Sequence, residues 1–415
     1  RYLLGQDGRW AEDGRIRIPG NLNPNSNLGS SVAMLGSHAA VGAPGVFGGG
    51  RVYLYHRNAD GWSTPRALGV GDEAGISGLG SSTAIASSCV AASAVAQAQT
   101  TLTMSSWVPP THFLSKDILQ PWMAEVEKAT EGRVTIKMLP KAVGSPPQHW
   151  ELARKGVADI TWGNFTYEPE RFQMMWFAEM PMMGSNTEAT SVALWRTYQK
   201  YLAQNEVAKG VVMLGVGMLG GGQFNHGSKA IVTPEDLAGQ KVRMGGPIQK
   251  RILEDMGAVP VSAPATKAYE LLEGGVIDAS LHGLESVVNF RLDGKLKYHT
   301  IVPEGLYDAT FFVVINEGKW NSLSAADQKA IMRVSGESLS RHWGQEFDKQ
   351  MKSAEAKMRA DGHTFNAPNP ALQKMVTDIR STLLKEWYAK APSFGVKDGQ
   401  AVVKYYEDQY KSLTK

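Results

Sequence analysis

From residue 100 onward the chain alternates between two hydrophobic periods. Residues 102–107 and 133–139 have the short apolar runs of strands, and residues 121–130 between them space their apolar positions as a helix does. The same order returns later, with strand patterns at 240–244 and 258–262 around a helical pattern at 249–256. Each block leads into a matching phrase: Glu151-Leu152-Ala-Arg-Lys-Gly156-Val157-Ala158-Asp159, then Glu270-Leu271-Leu-Glu-Gly-Gly275-Val276-Ile277-Asp278. Both copies close a helix at a glycine, where left-handed dihedrals cost little, and enter an apolar strand through an aspartate. Two β-α-β-α-β units predict two sheets, each with its strand C-termini at one edge. Open α/β sheets bind ligands at that edge. Two such edges facing each other predict an α/β chain of two lobes around a cleft.

Helix signals add to this frame. Thr233-Pro234-Glu235-Asp236 reads as an N-cap, a first-turn proline and two acids. Ser324-Ala325-Ala326-Asp327 opens another helix with a capping box. Apolar positions then follow at Ile331, Val334, Leu339, Trp343, Phe347, Met351, Ala354 and Met358, up to Asp361-Gly362. Read as one helix of roughly 35 residues, this stripe spans about 50 Å. That exceeds one lobe, so the helix is expected to cross both.

Composition changes the picture at the N-terminal side. The chain has 415 residues and a net charge of +3, from 43 basic and 40 acidic side chains. No basic stripe emerges, which argues against nucleic acid. The first lysine is Lys116, and between residues 67 and 115 the only charged side chains are Asp72 and Glu73. Residues 80–98 are small and apolar and end in Ala96-Gln97-Ala98, the pattern of a secretory signal with its cleavage site; cleavage there starts the mature chain at Gln99. A disordered Ala/Ser linker is the alternative reading of residues 68–98. Cys89, the single cysteine, lies in this segment, so the chain beyond it has no disulfide and no thiol chemistry. Upstream, Leu28-Gly29-Ser30-Ser31-Val32-Ala33, Ala40-Val41-Gly42-Ala43-Pro44 and Gly50-Arg51-Val52-Tyr53-Leu54-Tyr55 resemble a single FG-GAP repeat. One propeller blade cannot bury both faces, so residues 1–67 are expected to be a fragment rather than an independent domain.

Several motifs appear in a fixed order: RVTIK at 133–137, GVADI at 156–160, Arg171-Phe172 with Met180-Pro181, TPEDLAGQKVR at 233–243, MGAVP at 256–260 and YELLEGGVID at 269–278. Together they make residues 100–415 resemble the DctP family, the periplasmic solute-binding proteins of tripartite ATP-independent periplasmic (TRAP) transporters. The resemblance implies a two-lobed periplasmic-binding-protein fold of type II character with a lobe-spanning helix. On that basis residues 99–220 and about 309–345 are expected in lobe I, and 221–308 and about 346–415 in lobe II.

Candidate chemistry gathers at the predicted strand ends. Arg243 ends a strand just before Met244-Gly245-Gly246-Pro247, a place suited to bidentate carboxylate binding; pairing with Glu235 or Asp236 is the structural alternative. The resemblance implies that this arginine clamps the substrate carboxylate. Relatives often bring a second arginine from the preceding strand, but here Gly217–Asn225 offers only glycine, Gln223 and Asn225 as neutral partners. That departure favours a monocarboxylate. Gly220-Gly221-Gly222 is a candidate hinge. His282 stands where relatives place an asparagine facing the ligand. Trp107 and Trp162 end equivalent strands and can stack on a flat ligand, with Tyr307, Phe311 and Phe312 extending an aromatic wall. Glu285 reads as an exposed acid at a helix start, with a metal or ligand contact as the alternative. Met174, Met175, Met180, Met182 and Met183 read as soft core.

There is no G-x-S-x-G, H-E-x-x-H or Walker loop, so no enzyme is expected, and neither cofactor nor metal. The expected function is extracytoplasmic capture of a small organic acid and its delivery to TRAP permease subunits, by a periplasmic monomer. A binding protein feeding a chemoreceptor, or an adhesion protein led by the FG-GAP segment, are the alternatives.

Overall fold

The computed structural model describes Gln99–Lys415 apart from residues 206–207, and seven strands within residues 1–98. The chain separates into two compact units, Arg1–Ala98 and Gln99–Lys415. In the first, β1 (Tyr2–Leu4) pairs with β2 (Trp10–Glu12). There β3 (Ser31–Leu35), β4 (His38–Ala43), β5 (Arg51–Asn58) and β6 (Gly61–Trp62) form an antiparallel sheet, and β7 (Arg66–Leu68) adds to β5. The expected signal-like segment, with Cys89 and Ala96–Ala98, lies outside the described residues.

The second unit is built on two sheets. One has the order β11 (Val211–Met218), β17 (Thr310–Asn316), β10 (Ile160–Asn164), β8 (Thr100–Ser105), β9 (Val134–Met138). The other runs β14 (Val259–Ser262), β13 (Lys241–Met244), β15 (Ala279–His282), β12 (Gln223–His226), β16 (Tyr298–Thr300), β18 (Thr364–Asn366). The sequence repeat maps onto three parallel strands in each, β9-β8-β10 and β14-β13-β15, with an antiparallel neighbour beyond. The repeated aspartates have one job in both copies. Asp159 Oδ2 accepts from the Thr103 N–H of β8, and Asp278 Oδ2 from the Lys241 N–H of β13, so each carboxylate ties its own strand to the central one. Gly156 and Gly275 take the left-handed conformation ahead of them, with φ of 68° and 64°.

The chain crosses between sheets at β11→β12 and β16→β17, and the two crossings pair as an antiparallel ribbon. Leu219 N–H donates to Ala309 O, Gly222 N–H to Tyr307 O and Leu306 N–H to Gly222 O. Asp308, fully buried, accepts from the N–H groups of Leu219, Gly220, Gly221 and Ala309. The triple glycine thus lies at the crossing, but a carboxylate ties it down.

The predicted long helix is two helices. Ala325–Val334 ends at Ser335, and Glu337–Ala360 begins after Gly336, whose φ is 58°. The apolar stripe continues through this break because both pieces pack on the same core. The break itself is held by tertiary contacts: Gly336 N–H donates to Leu214 O, and Ser335 Oγ accepts from Trp122 Nε1. The longer piece has 24 residues, about 36 Å at 1.5 Å per residue. It packs on the helix Thr187–Thr197 and on β11 at one end, and on the helix Leu284–Asn289 at the other, so it bridges both sheets. The methionines at 174, 175, 180 and 183 are buried in the main core.

Candidate functional site

Arg243 stands on β13, between two parallel strands, with its side chain turned to the sheet edge. It is almost fully buried, at 3% exposure. Nε donates to Ala263 O just after β14, at 2.8 Å, and Nη1 donates to Leu281 O on β15, at 3.1 Å. Nη1 also reaches His282 Nε2, at 3.2 Å. Every partner is neutral. Asp236 caps its own turn through the N–H groups of Val232 and Thr233, so it does not pair with Arg243. Among the described residues no carboxylate lies within ion-pair distance of the guanidinium, and Nη2 has no protein hydrogen bond. A buried cation left without an anion is expensive unless a ligand supplies one.

The arginine forms part of the wall of a cavity of about 530 Å³, its mouth included. One lobe contributes Trp107, His112, Asn164 and Tyr167; the other contributes Arg243, Gln249, His282 and Glu285. Leu219, Tyr307 and Ala309 come from the crossing ribbon, and Phe311 and Phe347 complete the apolar floor. The lobes touch across the cavity rim, where Ala265 N–H donates to Tyr167 Oη at 3.0 Å.

The electrostatics of this wall follow from burial. His282 is kept well below the usual imidazole range by desolvation and then by the Arg243 charge. With Nε2 accepting from Arg243, its proton sits on Nδ1 and faces Ser280 Oγ at 2.9 Å. Burial lowers His112 to about 4. Its Nδ1 accepts from Leu114 N–H, which leaves the proton on Nε2. Tyr307 is raised well above the usual phenol value by burial, against the pull of Arg243. Glu285 is wholly buried and pushed up to about 7 by the same desolvation, with Ser286 Oγ donating to Oε1. Trp107 Nε1, His112 Nε2 and Glu285 Oε2 are all buried without a hydrogen-bond partner among the described residues. Three unsatisfied polar atoms around one cavity call for a polar occupant.

Of the side chains expected at the cleft, Arg243, Trp107, His282 and Tyr307 meet at this cavity. Trp162, Gln223 and Asn225 do not line it. Trp162 is buried one layer below, stacked on Trp107 at 4.4 Å and donating to Ser106 Oγ. Gln223 bonds both ways with the Val302 backbone, which splices β12 to the chain after β16. Asn225 Nδ2 is shared among the carbonyls of Gln223, Ser280 and His282, and Oδ1 faces His299 Nδ1. Phe312 packs against Trp150 and Phe165 on the other side of β17, while Phe311 reaches the cavity. Glu285 is not the exposed acid its helix-start position predicts. The helix Leu284–Asn289 begins under the cavity, so its first turn is covered. His112 and Tyr167 carried no signal beyond lying just past predicted strand ends.

Comparison with known proteins agrees with this architecture. A model of the family "Bacterial extracellular solute-binding protein, family 7" (DctP) matches residues 104–391. The FG-GAP resemblance upstream finds no support. A relative from Comamonas testosteroni, named outer membrane transporter protein TsaT, is 29% identical over 312 residues, covering 74% of this chain and 91% of the relative. The crystal structure of a TRAP periplasmic solute-binding protein from Bordetella bronchiseptica, with bound (R)- and (S)-mandelate, is 36% identical. It aligns with a TM-score of 0.73 over 75% of this chain and 99% of its own. A marine metagenome TRAP protein with 3-hydroxybenzoate is 29% identical, with a TM-score of 0.71 over 77% of this chain and 100% of its own. One from Rhodoferax ferrireducens with copurified benzoate is 26% identical, with a TM-score of 0.70 over 76% of this chain and 98% of its own. Among the described residues no helix is long and apolar enough to cross a membrane. The chain belongs to the DctP family of extracytoplasmic solute-binding proteins that serve TRAP transporters.

Proposed function

We propose that this protein captures a small aromatic monocarboxylate in the cavity between its lobes and hands it to the membrane permease of a TRAP transporter. The carrying observation is Arg243, a buried guanidinium with neutral partners and a free Nη2 at the cavity. A single cation satisfies a single carboxylate, and among the described residues no second arginine or lysine lines the cavity. Trp107, Phe290, Phe311 and Phe347 give the occupant flat apolar surfaces. Ligand contacts are assigned to Arg243, Trp107, His282 and Tyr307; Trp162, Gln223 and Asn225 support the walls from behind. Mandelate, benzoate and 3-hydroxybenzoate in the related structures support the same ligand class. The bound monomer then presents its closed form to the permease. A thermal-shift panel of organic acids tests the assignment. Aromatic monocarboxylates should raise the melting temperature, whereas dicarboxylates and neutral sugars should not. Stabilisation by sugars or cations alone contradicts it.

A further inference from the structure

The carboxylate accounts for Arg243, but not for the carboxyl group of Glu285 in the same cavity wall. Glu285 is fully buried there, and its Oε2 has no hydrogen-bond partner among the described residues. Its Oε1 is already satisfied by Ser286 Oγ, so Oε2 is the atom left for an occupant. The other unpaired atoms of that cavity's lining residues are donors. Trp107 Nε1 and His112 Nε2 each carry a proton and face no acceptor, and Arg243 Nη2 adds more. A ligand bearing only a carboxylate answers the donors and leaves Oε2 unsatisfied. It also sets two carboxyl groups in one dry space.

We infer that the ligand carries a hydroxyl group besides its carboxylate, and that Glu285 Oε2 holds this hydroxyl. The inference rests on the monocarboxylate reading above and names a narrower class within it, the hydroxylated aromatic acids. A hydroxyl fits because it both donates and accepts, so it pairs with the carboxyl group in either protonation state. A site built to bond a hydroxyl discriminates strongly against the analogue that lacks it, because the buried partner is then left unpaired. Glu285 is thus a specificity residue, while Arg243 supplies the affinity common to all acids.

Matched pairs test this by isothermal titration at neutral pH: mandelate against phenylacetate, and 3-hydroxybenzoate against benzoate. In the wild-type protein at least one hydroxylated member should bind about tenfold or more tightly than its parent. Glu285→Leu should bring that ratio to within about threefold, and Glu285→Gln, which keeps hydrogen-bonding atoms, should retain part of it. Equal affinities within both pairs in the wild-type protein overturn the inference whether or not the variants fold. An unchanged ratio in folded Glu285→Leu does so too. Those outcomes leave the monocarboxylate reading standing. That reading falls separately if none of the four acids binds, and the inference falls with it.

Discussion

At the scale of single residues, the site depends on groups whose ordinary behaviour is altered by dryness. Tyr307 lines the cavity and is buried, so its hydroxyl should contribute when ligand is bound. Tyr307→Phe should weaken binding of an aromatic acid by about 1 kcal/mol, roughly fivefold, and calorimetry would show it. Glu285 gives the site a pH dependence with a defined sign. Burial pushes it up to about 7, so below that value the ligand carboxylate meets a neutral carboxyl group. Above it a second negative charge appears in the cavity and repels the ligand. Lining the same cavity are Arg243 from β13, His282 from β15, His112 and Tyr167 from the other lobe, and Tyr307 from the ribbon, next in sequence to Asp308. Both histidines are held neutral by burial, and Asp308, also pushed up to about 7, lies outside the cavity wall. Affinity for an aromatic carboxylate should therefore fall as pH rises from about 6 to about 8.5, and Glu285→Gln should flatten the profile. A wild-type profile that rises with pH would contradict this account.

At the scale of elements, the crossing ribbon joins fold to function. Gly222 packs directly under the Tyr307 ring, where any Cβ would overlap the aromatic carbons. Gly222→Ala should cost about 1–3 kcal/mol in chemical denaturation and should weaken ligand binding by displacing Tyr307. What the sequence showed of these elements follows a physical divide. The repeated strands and helices were legible because periodicity and the Gly-x-x-Asp phrase are local signals. Arg243, His282, Trp107 and Tyr307 were legible because strand C-termini meet at one edge in this topology. Trp162, Gln223 and Asn225 were misplaced because their roles depend on which strand lies beside them. Gln223 and Asn225 stitch β12 to its neighbours through bonds that span 79 and 57 residues of sequence. The break at Gly336 escaped for the same reason, since Trp122 and Leu214 impose it from afar. A helix-start acid is normally exposed, so sequence leaves Glu285 open between that and a ligand contact; only the packed lobes show it covered.

At the scale of the whole molecule, two lobes meet over a cavity and are joined by the ribbon and by the helix Glu337–Ala360. Each lobe supplies part of the wall, so a ligand gains contacts in the closed form that the open form lacks. Small-angle scattering should show the radius of gyration falling on saturation with ligand. No change at saturation would count against closure by ligand.

The most direct measurement is isothermal titration of the wild-type protein and Arg243→Ala with an aromatic monocarboxylate, beside a neutral sugar and an amine as controls. The account predicts that only the acid binds the wild-type protein, and that the substitution removes about 2–5 kcal/mol of its binding free energy. Tight binding of the sugar or the amine, or of the acid with equal strength to both proteins, would contradict it.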